Sequence, residues 1–295
     1  MIGGAALAAL RDDGHEVIRL VRRPASAPDE ITWNPSAGEI PLDACRAADA
    51  VINLCGAPIA GGRWTPKRRN ELRASRIDAT QTLGKVFAAA GEQGGPRVLV
   101  NASAVGIYGD RGNLELMESS VPGDGFLAGL CRDWEDAANA AGKWGARIVC
   151  LRFGMVLSRE GGALQRMIPF YRAGLGSQLG SGRQWISWIS LEDAVGAIRF
   201  ALTEEALSGP VNVVSPNSVT NAGFSRALGR IFGRQLSMPV PRFVLRLAYG
   251  SIADEALLAS AHAVPAKLEQ AQYPFRYRNL EDALYQALAL EKAEA

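Results

Sequence analysis

The chain has 295 residues, a formal charge of +2 from 32 basic and 30 acidic side chains, and 48% apolar residues. This is a globular composition, long enough for two domains or one large α/β unit, and it excludes a mainly disordered chain. The near-zero charge leaves no basic block to neutralise phosphates, which argues against nucleic acid as the main partner. Only His15 and His262 are present, so a multi-histidine metal site is ruled out. Cys45, Cys55, Cys131 and Cys150 form no C-x-x-C pair and read as reduced, buried thiols of a cytoplasmic protein. No stretch reaches the roughly 18 apolar residues of a membrane span, and no signal peptide is expected.

In chain order, Ile2, Ala6, Leu7 and Leu10 recur at helical spacing, and Gly14 ends the run as a C-cap. Glu16 to Val21 then reads as a strand, so the chain opens inside a helix with no strand before it. Asp49 to Leu54 is a second buried strand. Thr65 and Pro66 make a cap-and-first-turn pair for a long helix to about Ala90, stopped by Gly91. Two more strands, Val98 to Ser103 and Ala146 to Phe153, flank a helix starting near Phe126. This alternation predicts a parallel sheet covered on both faces.

After Gly154 the rhythm changes. Ser190 to Asp193 resembles a capping box for a helix to about Thr203, and Val211 to Val214 reads as one more strand. Helices are expected around 222–232, 242–249, 265–271 and 280–290. The expected fold is therefore a Rossmann-type doubly wound parallel sheet with a smaller, helix-rich C-terminal domain.

Two local signals point to a dinucleotide. Gly3 sits where the last glycine of a phosphate-binding turn stands, at the start of a helix that leads into a strand. Arg22 and Arg23 follow that strand directly. There an acidic residue would suit a ribose 2′-hydroxyl, whereas arginine suits a 2′-phosphate.

Five blocks in order, "INLCGAPIAGGRW", "ELRASRIDAT", "NASAVGIYGDRG", "LRFGMVLSREGGAL" and "LGSGRQWISWISLEDAVGAI", resemble the atypical extended short-chain dehydrogenases/reductases. More narrowly they resemble the epimerase-family branch, whose closing domain is similar to "VPAKLEQAQYPFRYRNLEDALYQAL". The resemblance implies an NAD(P)-binding Rossmann domain over 1–154 and 191–214. It implies a substrate domain over 155–190 and 215–295.

It implies that Gly3 is the last glycine of G-x-x-G-x-x-G and that Arg22, supported by Arg23, holds the adenosine phosphate. Leu54, Cys55 and Gly56 would form the loop over the adenosine side. Ala102, Arg152, Phe153 and Gly154 would line the cofactor near the nicotinamide. Ser103 matches the serine that binds the substrate oxygen gaining or losing hydride. Arg183, Gln184 and Trp185 would meet the substrate, although Trp185 and Trp188 also suit plain core packing.

The chain departs from that pattern twice. The family's Tyr-x-x-x-Lys falls on Leu127 and Cys131, which leaves Ser103 and Tyr108 as the polar candidates, with Asp124 and Glu135 behind them. The first strand and first two glycines, about ten residues, are missing, so translation is expected to begin upstream.

The expected function is NADP(H)-dependent hydride transfer, NADP(H) favoured over NAD(H), on a hydroxylated or sugar-like small molecule. The alternative is a non-catalytic dinucleotide-binding sensor or protein-interaction module. No metal and no membrane are expected, and a homodimer is left open. A serine hydrolase is disfavoured because no G-x-S-x-G elbow is present.

Overall fold

The structure, a computed structural model, describes residues 1–90 and 95–290. Gly91 and residues 291–295, which the expected helix stop and second domain include, lie outside the described residues. The chain runs α1 (Ile2–Asp12), β1 (Arg19–Val21), β2 (Glu30–Thr32), α2 (Leu42–Arg46), β3 (Ala50–Asn53), α3 (Pro66–Ala90) and β4 (Val98–Ala104). It continues through β5 (Glu115–Leu116), α4 (Phe126–Asn139), β6 (Arg147–Phe153), β7 (Met155–Leu157), α5 (Gly162–Arg172), β8 (Trp185–Ile186) and β9 (Trp188–Ser190). The remainder is α6 (Leu191–Thr203), β10 (Gly209–Val213), β11 (Val219–Thr220), α7 (Asn221–Ile231), α8 (Arg242–Tyr249), β12 (His262–Ala263), α9 (Ala266–Gln270) and α10 (Leu280–Leu288).

The central sheet is parallel, in the order β10-β6-β4-β3. Its residues alternate between two helical layers, as a parallel sheet buried on both faces requires. Val98, Val100 and Ala102 of β4 join the core under α1 and α6, whereas Leu99 packs with Phe87 of α3 and Ala138 of α4. A second core gathers Leu157, Leu164, Trp188, Phe224, Leu228 and Leu284 from β7, α5, β9, α7 and α10. No helix among the described residues is long and apolar enough to cross a membrane.

The predicted gap is visible. Among the described residues, strands β1 and β2 pair only with each other, and β3 pairs only with β4. The sheet is thus split between β1 and β3, where the resemblance places the family's first strand. Leu20 of β1 and Val51 of β3 still share a small core with Trp33 and Leu83, so the two parts remain neighbours.

Two local signals act as expected. The Thr65 hydroxyl accepts from Arg68 N at 3.2 Å at the start of α3. The Ser190 hydroxyl accepts from Asp193 N at 2.9 Å and caps α6. The same Asp193 reaches further: its carboxylate accepts from Arg276 N at 2.7 Å and from Tyr277 N at 3.0 Å, pinning the C-terminal block to α6. Elements α2, β2 and α5 go beyond the sequence expectation, and the helix after Phe126 is shorter, ending at Asn139 before a 3-10 turn.

Candidate functional site

Register builds the site. Ser103 on β4 lies opposite Arg152 on β6, and Arg152 lies opposite Asn212 on β10. The three form one row across the carboxyl-terminal ends of adjacent strands, the end at which open α/β sheets bind ligands. Helix α4 lays Glu135 against this row. The Ser103 hydroxyl donates to Glu135 Oε1 at 2.6 Å, and Arg152 grips the same carboxylate bidentately through Nε and Nη2, both at 2.8 Å. All three side chains are buried. Burial by itself lowers the affinity of Arg152 for its proton, but the Glu135 pair outweighs it and leaves the guanidinium above its ordinary value. Glu135, given low priority from sequence, is thus the direct partner of Ser103.

Tyr108, expected beside Ser103 as a polar partner, has 0% exposure. Its hydroxyl donates to Asn212 Oδ1 at 2.7 Å and accepts from Arg152 Nη1 at 2.9 Å. Burial raises its pKa above the usual phenol value, so it stays protonated. The geometry gives it to the strand-end network and leaves it no open face. Asp124 is exposed, off this network.

Cys131, at the place of the missing lysine, is buried, and its thiol is pushed up to about 12 by burial, with Glu135 adding to the shift. It is uncharged at neutral pH.

The dinucleotide-side residues gather around the end of β3. A Cβ on Gly3 would sit 3.8 Å from Leu54 Cδ1, so the first turn of α1 lies against the loop after β3. No side chain caps that turn, so its amides are free for a ligand anion. Arg22 is exposed and makes no hydrogen bond or ion pair among the described residues, and its charge acts on Cys55 of the same loop. Arg23, expected to support it at the phosphate, is instead held by Glu30: Nη1 to Oε2 at 2.7 Å and Nη2 to Oε1 at 2.6 Å. Its role is to fold the turn that carries Arg22. These donors and the open first turn fit the adenosine half of a dinucleotide.

Of the residues expected near the nicotinamide, Ala102 and Phe153 are in the sheet core. Arg152 has its guanidinium committed, so only its backbone is left to line a ligand. Gly154 is required sterically: a Cβ there would stand 2.5 Å from Ser187 O.

On the substrate side, Arg183 is exposed and lines a cavity of about 190 Å³ with Asp110, Asn113, Arg242 and Ser260. Gln184 lines the same cavity, with its Nε2 committed to Leu179 O at 3.0 Å and Leu257 O at 3.2 Å. Trp185 stacks on His262 with ring centroids 4.1 Å apart and its indole N–H on Asn113. Trp188 is core.

With this geometry in view, residues 1–214 match the model of the NAD dependent epimerase/dehydratase family, and residues 240–287 match a domain of unknown function, DUF1731. The chain belongs to the NAD-dependent epimerase/dehydratase family. It is 46% identical over 284 residues to Epimerase family protein Mb2239 of Mycobacterium bovis, covering 96% of this chain and 93% of that protein. Among solved structures, human epimerase family protein SDR39U1 (isoform2) with NADPH superposes with a TM-score of 0.88 at 33% identity, covering 98% of this chain and 97% of that one. The nucleoside-diphosphate sugar epimerase from Corynebacterium glutamicum gives 0.80 at 33% identity, covering 98% of this chain and 56% of that chain. The family's extended short-chain dehydrogenase/reductase fold and its separate C-terminal block therefore stand as the sequence motifs implied.

Proposed function

We propose that this epimerase-family member is an NADP(H)-dependent oxidoreductase or epimerase-like enzyme of a hydroxylated, sugar-like small molecule. The observation that carries the cofactor choice is Arg22, an exposed arginine at the tip of β1 with no hydrogen bond or ion pair among the described residues, its charge felt at Cys55. A guanidinium there matches a 2′-phosphate. The similar human protein solved with NADPH supports the same choice. Residues 1–154 and 191–214 carry the dinucleotide, with Gly3, Leu54, Cys55 and Gly56 along it. Residues 155–190 and 215–290 close the substrate side, where Arg183 and Trp185 meet the ligand.

The bound nicotinamide would supply or accept hydride. The chain's own part is played at Ser103 Oγ. Its proton is directed at Glu135, and its oxygen, on a residue 3% exposed at the end of β4, is the atom assigned to accept a hydrogen bond from a substrate hydroxyl and orient the carbon that carries it. Arg152 fixes Glu135, and Tyr108 with Asn212 fixes Arg152. Titration with NADPH and NADH tests this function. Wild type should prefer NADPH, and Arg22→Gln should reduce that preference by about tenfold to a hundredfold, the loss of a charge-assisted contact. An equal affinity for both cofactors in wild type overturns the role of Arg22.

A second reading is a non-catalytic dinucleotide-binding protein. The buried, uncharged Cys131 favours it, because the position that would hold the activating cation on α4 carries a neutral thiol. Substrate-dependent NADPH oxidation that disappears in Ser103→Ala decides for the enzyme.

A further inference from the structure

The molecule contains a second deeply buried arginine that the proposed chemistry does not use. Arg76, on α3, is 8% exposed. Among the described residues no carboxylate lies within ion-pair distance of it. Its acceptors are neutral oxygens: Nη1 donates to Leu72 O at 3.1 Å and to Ser75 Oγ at 3.5 Å, and Nη2 to Ala57 O at 3.1 Å. The guanidinium lies over the Trp134 ring at 5.1 Å. Burial lowers its pKa from the ordinary arginine value, with the nearby Arg68 charge adding to the effect. A buried cation without a counter-charge is costly, so a fold that keeps one has an anion to meet.

Its position says which anion. Gly56 makes the room: a Cβ there would stand 2.8 Å from Arg76 Cζ and 2.9 Å from Nη2. Gly56 and Ala57 belong to the loop after β3. The β1–β2 pair, whose tip holds Arg22, lies against β3 through the core that Leu20 and Val51 share, and β3 pairs with β4, whose end holds Ser103. A ligand stretched from Arg22 to Ser103 passes Arg76 at its middle. The middle of a dinucleotide is its diphosphate. The surrounding loop is also rich in cations. Arg68 donates to Pro58 O, and Arg166 donates to Ala60 O at 2.6 Å. Of Arg68, Arg76 and Arg166, only Arg68 has an ion-pair partner among the described residues, Glu71.

We propose that Arg76 holds the diphosphate bridge of the bound dinucleotide, reaching it through the space that Gly56 leaves open. The assignment rests on the dinucleotide-binding function proposed above. It adds a residue from a neighbouring helix to the phosphate cradle, which otherwise relies on the amides at the start of α1.

Fluorescence titrations of the full chain with NADPH, NADH and 2′-AMP separate the possibilities. 2′-AMP carries the phosphate that Arg22 meets but no diphosphate. Arg76→Gln is expected to weaken NADPH and NADH alike, by about tenfold or more, and to leave 2′-AMP and the melting temperature unchanged. Arg76→Lys, which keeps the charge but loses the fork, should fall between. Unchanged NADPH affinity, within about twofold, in Arg76→Gln overturns the assignment. A parallel loss of 2′-AMP binding and of melting temperature also overturns it, since Arg76 would then merely hold the loop. Wild type that binds none of the three probes refutes the dinucleotide function itself, a result distinct from either.

Discussion

Two buried arginines stand either side of α4, and they are solved in opposite ways. Arg152 is gripped by Glu135 through two bonds of 2.8 Å, with Tyr108 and the Glu118 carbonyl taking Nη1. Arg76 has a tryptophan face and backbone carbonyls, and no carboxylate. Their titration follows the difference. Burial pushes both down, but the Glu135 pair carries Arg152 back above its ordinary value while Arg76 stays below it. A closed network of this kind holds its geometry before any ligand arrives. An open one is completed by the ligand. Ser103 is thus positioned by the fold, whereas the proposed phosphate side of the cleft keeps an arginine whose counter-charge a ligand would bring.

The strongest way to break this contrast is by unfolding. Glu135→Ala strands the Arg152 charge in the core, and denaturant unfolding should show a loss of about 3–5 kcal/mol. The double variant Glu135→Leu with Arg152→Met should recover most of it, because neither charge is then left unpaired. Arg76→Met, by contrast, strands no partner. It trades two carbonyl bonds against relief of an unpaired charge and should change stability by about 1 kcal/mol or less. Equal losses at the two sites would show that Arg76 is as structural as Arg152.

A smaller effect sharpens the same point. In Gly56→Ala the new Cβ meets the far end of a flexible side chain, 2.8 Å from Arg76 Cζ. The fold should hold, while the displaced guanidinium weakens NADPH by a few fold, about 1 kcal/mol or less. The comparison is Gly154→Ala, whose Cβ meets backbone, Ser187 O at 2.5 Å, and which should lower the melting temperature as well.

Local rules made much of this molecule readable. Thr65-Pro66 and Ser190-x-x-Asp193 announce their helices because a side-chain oxygen three residues before an orphan amide satisfies it whatever the tertiary context. The apolar runs of β3, β4 and β6 are visible because both faces are buried. Helix α5 hides behind its two opening glycines and Pro169, which read as loop. Strand β2 is three residues in a polar stretch, held only by β1. In the site, Ser103 and Arg22 are legible from position along the chain. The partnership of Ser103 with Glu135 is not, since the two are 32 residues apart and only the docking of α4 brings them together. Arg76 is hidden for another reason. It stands among Glu71 and Asp78 in sequence, and lack of a counter-charge shows only when their side chains are placed.

The least disruptive test concerns the turn that presents Arg22. Arg23 and Glu30 close it, and Ser26 N donates to Glu30 Oε2 at 2.9 Å. The Arg23 bonds, with help from Ser26, lower the Glu30 pKa from 4.5 to about 2. A carboxylate depressed in the folded state contributes fully above its unfolded value and loses that contribution as pH falls through the folded one. The turn should therefore loosen between about pH 4.5 and pH 2, read as lower protection of the Ser26 and Ala25 amides relative to their intrinsic exchange at each pH. Glu30→Gln should show the same lower protection already at pH 7, with little change in the global unfolding midpoint, because β1 and β2 form only a margin of the fold. It should also weaken NADPH slightly while leaving NADH untouched, since the turn holds only the 2′-phosphate arginine. Unchanged exchange in Glu30→Gln would mean that the turn holds its shape without the ion pair, and that Arg22 owes its position to the strand alone.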